Sequence, residues 1–256
     1  MNKFIKNPFA RKQKGAVVTL WFCLFASVIC AQTAEKFDFP MKPGMEEWNR
    51  LETEQERISV LQVPEAILAT LSPDDAVRLC ITLPAFFIFY AFNTPQDGFA
   101  VLLSRYNILR HLMQRKDIGS CLIETYKDAD LSGFRTLPYS NEFWTVKLYY
   151  LELLLSQKEI LQSLTPDEKL ELIKEARTKL IAKITNEAFA FLNDLLFSVR
   201  IMANILDVEE YPELFSSSNN EAIKRFIETG AAFDGVPIDE IFRISDNYIN
   251  AKNSQQ

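Results

Sequence analysis

Apolar residues in this chain recur three or four positions apart, and the polar residues between them mark where helices start and stop. The densest block runs from Val63 to Asp128 and reads as the unit around which the rest is organised. Ser72-Pro73-Asp74-Asp75 supplies a hydroxyl N-cap, a proline at the first helical position and two acids where backbone N–H groups lack acceptors. The helix that follows turns Ala76, Val77, Leu79, Cys80 and Leu83 inward, and Pro84 stops it. The apolar run Ala85 to Phe92 is too short to cross a bilayer and has no helix-long polar face. It predicts a buried central helix, with a strand as the alternative that periodicity does not separate.

Asn93-Thr94-Pro95-Gln96 repeats the hydroxyl-then-proline start, and Gly98 lies inside the new helix, where it costs about 1 kcal/mol unless something packs against it. Phe99, Leu102, Leu103 and Tyr106 follow at helical spacing, Asn107 marks a break, and Ile108, Leu109, Leu112 and Met113 resume the pattern. Lys116-Asp117 opens a last segment carrying Ile118, Cys121, Leu122 and Tyr126. This density of short helices predicts an all-α fold, an irregular array of short and medium antiparallel helices in which stacked hairpins are one arrangement.

Gly133 and Pro138 sit in a polar connection over 131–140, the leading place to divide the helical domain 45–250 into two intimate subdomains. Ser140 or Asn141 caps the next helix, which is apolar on most of its circumference from Phe143 to Leu155. Thr165-Pro166-Asp167-Glu168 is the clearest helix start, a capping box. Beyond it the periodicity puts Leu170, Ile173, Leu180, Ile181 and Ile184 inside, and Lys169, Glu171, Lys174, Glu175, Lys179 and Lys183 in water. Glu187 to Leu206 is apolar all round and interrupted by Asn193, Asp194 and Arg200. Arg200 therefore needs a buried partner, an acid first and a ligand second. A polar loop over 216–220, a short helix closed by Gly230 and a last helix from Pro237 with Ile241, Ile244, Tyr248 and Ile249 on one face complete the pattern, and residues 251–256 are expected to fray.

Composition changes the picture mainly at the start. Lys3, Lys6, Arg11, Lys12 and Lys14 precede an uncharged run from Gly15 to Ala31, the pattern of a secretory signal over 1–31. Cleavage after Ala31 makes Gln32 the first mature residue, followed by an extended leader over 32–44 with Pro40 and Pro43; a retained membrane anchor is the alternative. Losing those five cations leaves 23 basic residues against 34 acids, a net charge of −11, which opposes nucleic-acid binding and gives a membrane surface no help. The mature chain would have no transmembrane segment and would act in the periplasm or as a secreted protein. Cys80 and Cys121 would be its two cysteines, read as buried thiols on apolar faces, with a disulfide as the alternative.

The candidate chemistry is sparse. His111 is the single histidine, and the sequence carries no zinc-binding, P-loop, nucleophile-elbow or dinucleotide motif, so neither a cofactor nor a metal is expected. Asn93, Gln96, Asp97, Arg105 and Asn107 gather around helix ends in the central block. They are either caps facing solvent or one edge that binds a peptide or glycan. The succession Val63-Pro64-Glu65, Leu71 to Asp75, Leu79 to Pro84, Tyr90 to Asn93, Gly98-Phe99 and Leu109 to Asp117 resembles a family of exported, uncharacterised helical proteins of the Bacteroides group. That resemblance covers Leu61 to Tyr126 and implies export and an all-helical fold, with no catalytic residues to carry over. The expected function is a non-catalytic protein- or peptide-interaction module in the cell envelope, with a carboxylate-based hydrolase or glycan-processing enzyme as the alternative.

Overall fold

The structure is a computed structural model, and it describes residues 37–129, 131, 142–186, 189, 192–232, 235 and 237–254. The expected signal over 1–31, most of the connection over 131–140, the cap at Ser140 or Asn141 and the start of a helix at Glu187 lie outside the described residues. Among the described residues every regular element is helical: α1 Glu46–Asn49, α2 Glu54–Val60, α3 Glu65–Leu68, α4 Pro73–Ile81, a 3₁₀ segment Phe86–Ala91, α5 Pro95–Arg105, α6 Asn107–Gln114 and α7 Gly119–Asp128. After the connection come α8 Glu142–Leu155, α9 Lys158–Ser163, α10 Pro166–Ile184, α11 Leu192–Val208, α12 Pro212–Ser216, α13 Asn220–Thr229 and α14 Ile238–Asn253.

The caps act as the sequence predicts. Ser72, Thr94 and Thr165 each accept a backbone N–H three residues on, at 3.1, 3.1 and 3.2 Å, with proline at the first position of each helix. Glu168 returns the bond to the Thr165 N–H at 2.8 Å and completes the box. The helix expected to break at Asn107 breaks one residue earlier, where Tyr106 is extended between α5 and α6.

The organising element is α11, not the block from Val63 to Asp128. It packs on α8, α9, α10, α13 and α14, and buries Val199, Ile201, Met202, Ala203, Ile205 and Leu206 completely. The earlier block is laid against this assembly: α7 on α10 and α8, α5 on α13, and α6 on α9. The buried side chains form one continuous core from Phe37 to Tyr248. A helix apolar on all sides is surrounded because each side needs a neighbour to exclude water.

Two expected faces are corrected. The run Ala85 to Phe92 holds the 3₁₀ segment Phe86–Ala91 rather than a buried central helix: Phe86 and Phe89 are buried, whereas Phe87, Tyr90 and Phe92 are exposed. A three-residue period aligns positions 86 and 89 on one side and sends their neighbours outward. Gly98 fits here, because a Cβ at that position would collide with the Phe89 backbone.

On α10 the buried stripe is Leu172, Ala176, Lys179 and Lys183 flanked by Ile173 and Leu180, while Ile181 and Ile184 are 40% and 60% exposed. Spacings of four, three and four put the two lysines in line with Leu172 and Ala176. Each finds an acceptor inside. Lys179 Nζ donates to the Ala129 carbonyl at 2.8 Å, at the C-terminal end of α7 where a cation is favoured, and pairs with Glu175 at 3.1 Å.

The last helix continues through residues 251–253 instead of fraying, since Lys252 reaches Glu209 and Lys174 donates to Asn253 Oδ1 at 2.8 Å. Cys80 and Cys121 are both free thiols; Cys80 is fully buried and Cys121 partly so. No helix of the described residues is long and apolar enough to cross a membrane.

Candidate functional site

Helix α11 carries charge-bearing chemistry on opposite sides, because Ser198 and Arg200, two residues apart, are separated by about 200° around the axis. On the first side Lys183 and Glu152 form an ion pair at 2.7 Å in which both side chains are 0% exposed. Lys183 Nζ also donates to Ser198 Oγ at 3.0 Å and to the Asp194 carbonyl at 3.1 Å. Glu152 Oε1 accepts from Ser198 Oγ at 2.5 Å and from the Tyr126 hydroxyl at 2.7 Å. Burial pushes the Lys183 ammonium down against the pull of Glu152, and burial together with Glu152 pushes the Tyr126 phenol far up. Every ionic atom of this cluster has a partner, and none of its four side chains is more than 1% exposed. It is a polar core that ties α7, α8, α10 and α11 together.

The second side is unlike it. Arg200 is 3% exposed and has no carboxylate partner among the described residues, so the expected acid pair is not made. Its Nη2 donates instead to Gln96 Oε1 at 2.6 Å and to the Ile227 carbonyl at 3.2 Å. Nε and Nη1 are buried with no acceptor, and one helical turn on, Asn204 Oδ1 is buried with no donor. Asn204 Nδ2 is held by the Ser156 carbonyl at 2.6 Å. Burial alone pushes the Arg200 guanidinium down to about 10, which leaves it charged at neutral pH.

These groups form the floor of a recess of about 450 Å³ where α5, the α8–α9 junction, α11 and α13 meet. Gln96 links Arg200 to Gln157 by amide hydrogen bonds of 3.1 and 3.4 Å, and Gln157 is anchored on the Leu153 carbonyl at 2.7 Å. Lys158, Glu159, Asp207, Lys224 and Glu228 stand around the edge. Gly230 closes α13 in the left-handed conformation with φ 71°, and a Cβ there would lie 2.7 Å from Arg200 Nη1. Glycine at this position thus serves the turn and leaves room for the guanidinium. Gly230 also lines a separate, mostly apolar depression of about 240 Å³ together with Phe89, Tyr90, Phe92, Pro95 and Phe197.

The five polar residues grouped from the sequence are placed differently from one another. Gln96 is in the recess and Asn93 borders the apolar depression. Asp97 completes the Thr94 cap with a 2.7 Å hydroxyl bond. Arg105 pairs with Glu54 at 2.8 Å, and Asn107 clamps the Val63 backbone by two bonds of 3.0 and 2.7 Å. His111 lies 3.5 Å from an Arg115 nitrogen and is pushed down by burial and by that cation. Sequence reasoning missed Gln157 and Asn204; the available signal was the four-residue spacing of Asn204 from Arg200 in an otherwise apolar helix. No family model, curated protein or solved structure matches this chain.

Proposed function

We propose that this chain is an exported, non-catalytic protein- or peptide-interaction module of the cell envelope, and that the recess on α11 is where it holds its partner. The observation that carries this reading is the pairing of a buried guanidinium, two of whose nitrogens meet no acceptor, with a buried amide oxygen that meets no donor, at the base of a recess of about 450 Å³. A polar group withdrawn from water without a partner costs about 1–3 kcal/mol, so an arriving ligand that satisfies these atoms recovers that penalty as affinity. The charged N-terminal segment, its uncharged run and the resemblance to exported helical proteins support the envelope as the compartment.

The test is cross-linking in intact envelope followed by capture of the tagged protein. A partner recovered with the wild type and lost with Arg200→Met is the expected result; a partner recovered equally with both variants removes the recess from the proposal. Mass spectrometry of the same material is expected to show Gln32 as the first residue. Glu159, Asp207 and Glu228 at the recess edge favour the second reading, a carboxylate-based hydrolase. Turnover of an envelope glycan or peptide that disappears in their amide variants would select it.

A further inference from the structure

We propose that the recess is a receptor for an α-carboxylate with a neighbouring N–H or ammonium group, the C-terminal residue of a short peptide or a free amino acid, and that Arg200 receives the carboxylate. This assignment rests on the interaction reading above and names the chemistry of what is bound.

An arginine fork offers parallel donors in one plane, the geometry that a carboxylate accepts with both oxygens. In this structure one such position is already filled by a neutral substitute: Gln96 Oε1 sits 2.6 Å from Nη2. The Gln96 side chain is half-buried in the first turn of α5, and its other partner is the Gln157 amide at 3.1 Å. A ligand carboxylate that turns this amide aside exchanges a dipole for a charge at Nη2 and brings its second oxygen to Nη1 or Nε. The exchange is favourable because a buried guanidinium without a counter-charge gains most from an anion.

The rest of the recess decides which anion. Asn204 Oδ1 requires a donor, which an α-amino or α-amido group supplies beside its carboxylate and a fully ionised phosphate monoester does not. With Arg200 counted, three cations and three carboxylates line the recess, so its charge is balanced and a carboxylate bearing an N–H or ammonium is matched at both ends.

The experiment presents the purified protein with two random tetrapeptide pools that differ only in a free C-terminal carboxylate or a C-terminal amide, and identifies retained peptides by mass spectrometry. A mixture of free amino acids forms a third arm that separates the two sources, and inorganic phosphate is the competitor. The free-acid pool, the amino-acid mixture or both are expected to be retained about tenfold or more over the amide pool, with phosphate failing to displace them. Gln96→Glu, which supplies an internal carboxylate to Arg200, is expected to abolish that retention while raising the melting temperature by about 2–4 °C. Equal retention of acid and amide pools would overturn the carboxylate assignment yet leave the peptide-interaction reading standing. Displacement by phosphate, or retention undiminished in Gln96→Glu, would also overturn it. Failure to retain any of the three, together with an Arg200-independent envelope partner, would sink both.

Discussion

Two cations are buried against the two sides of α11, and they differ in whether the fold completes them. Lys183 meets Glu152, Ser198 and a backbone carbonyl, so its charge and its N–H groups are used within the molecule. Arg200 meets one amide oxygen and one carbonyl, and two of its nitrogens face no acceptor. Equal burial therefore says little about role. Burying a charge is tolerated for structure when its partners are built in, and the incomplete partner set of Arg200 is the observation on which its proposed binding role rests. The sealed cluster brings a serine, a lysine and a carboxylate within hydrogen-bonding distance, yet at most 1% of any of these side chains reaches solvent.

The largest expected effect tests the sealed side. Lys183→Met strands the Glu152 carboxylate in the core and is expected to cost about 3–5 kcal/mol, read from urea melts. Adding Glu152→Leu removes the stranded charge and should recover at least half of the loss. A single variant that costs under about 1 kcal/mol would mean that the pair is not the structural tie described. Next in size, Gly230→Ala is expected to destabilise by about 1–2 kcal/mol, because alanine must adopt a φ of 71° and its Cβ meets the Arg200 guanidinium.

Arg200→Met then gives the contrast its sign. Two buried donors without acceptors are removed with the charge, so stability should stay level or rise by about 1 kcal/mol, opposite to Lys183→Met. A loss as large as that for Lys183→Met would show that Arg200 is a structural cation after all.

The smallest effect is a pH dependence at the far end of the same helix. Burial pushes the Glu209 carboxyl up, but Lys169 and Lys252 pull it down by more, to below its ordinary value of 4.5. A carboxyl depressed by folding contributes stability that is present above the ordinary value and is lost as pH falls through the lower, folded one. Melts between pH 7 and pH 3 should therefore show a loss that is shallower in Glu209→Gln. Arg200 keeps its charge throughout this range, so it contributes nothing to the slope.

The sequence by itself determined where helices begin. At Ser72, Thr94 and Thr165 a hydroxyl, a proline and an acid lie within four residues of one another, and such caps depend only on neighbours along the chain. It also marked α11 as surrounded and Arg200 as in need of a partner, since an apolar circumference and a lone buried cation are both legible in one segment. Only the tertiary structure decided the rest. Lys179 and Lys183 look like solvent-facing residues until the ends of α7 and the carboxylate of Glu152 are brought to them. Ile181 and Ile184 look buried until α10 is turned by those same contacts. Gln96 and Arg200 stand 104 residues apart in the chain, and their meeting at 2.6 Å depends on α5, α11 and α13 being packed around one point. Local rules set the ends of helices because caps act over a few bonds; which polar groups are completed, and which are left without a partner, is settled by the groups that packing supplies.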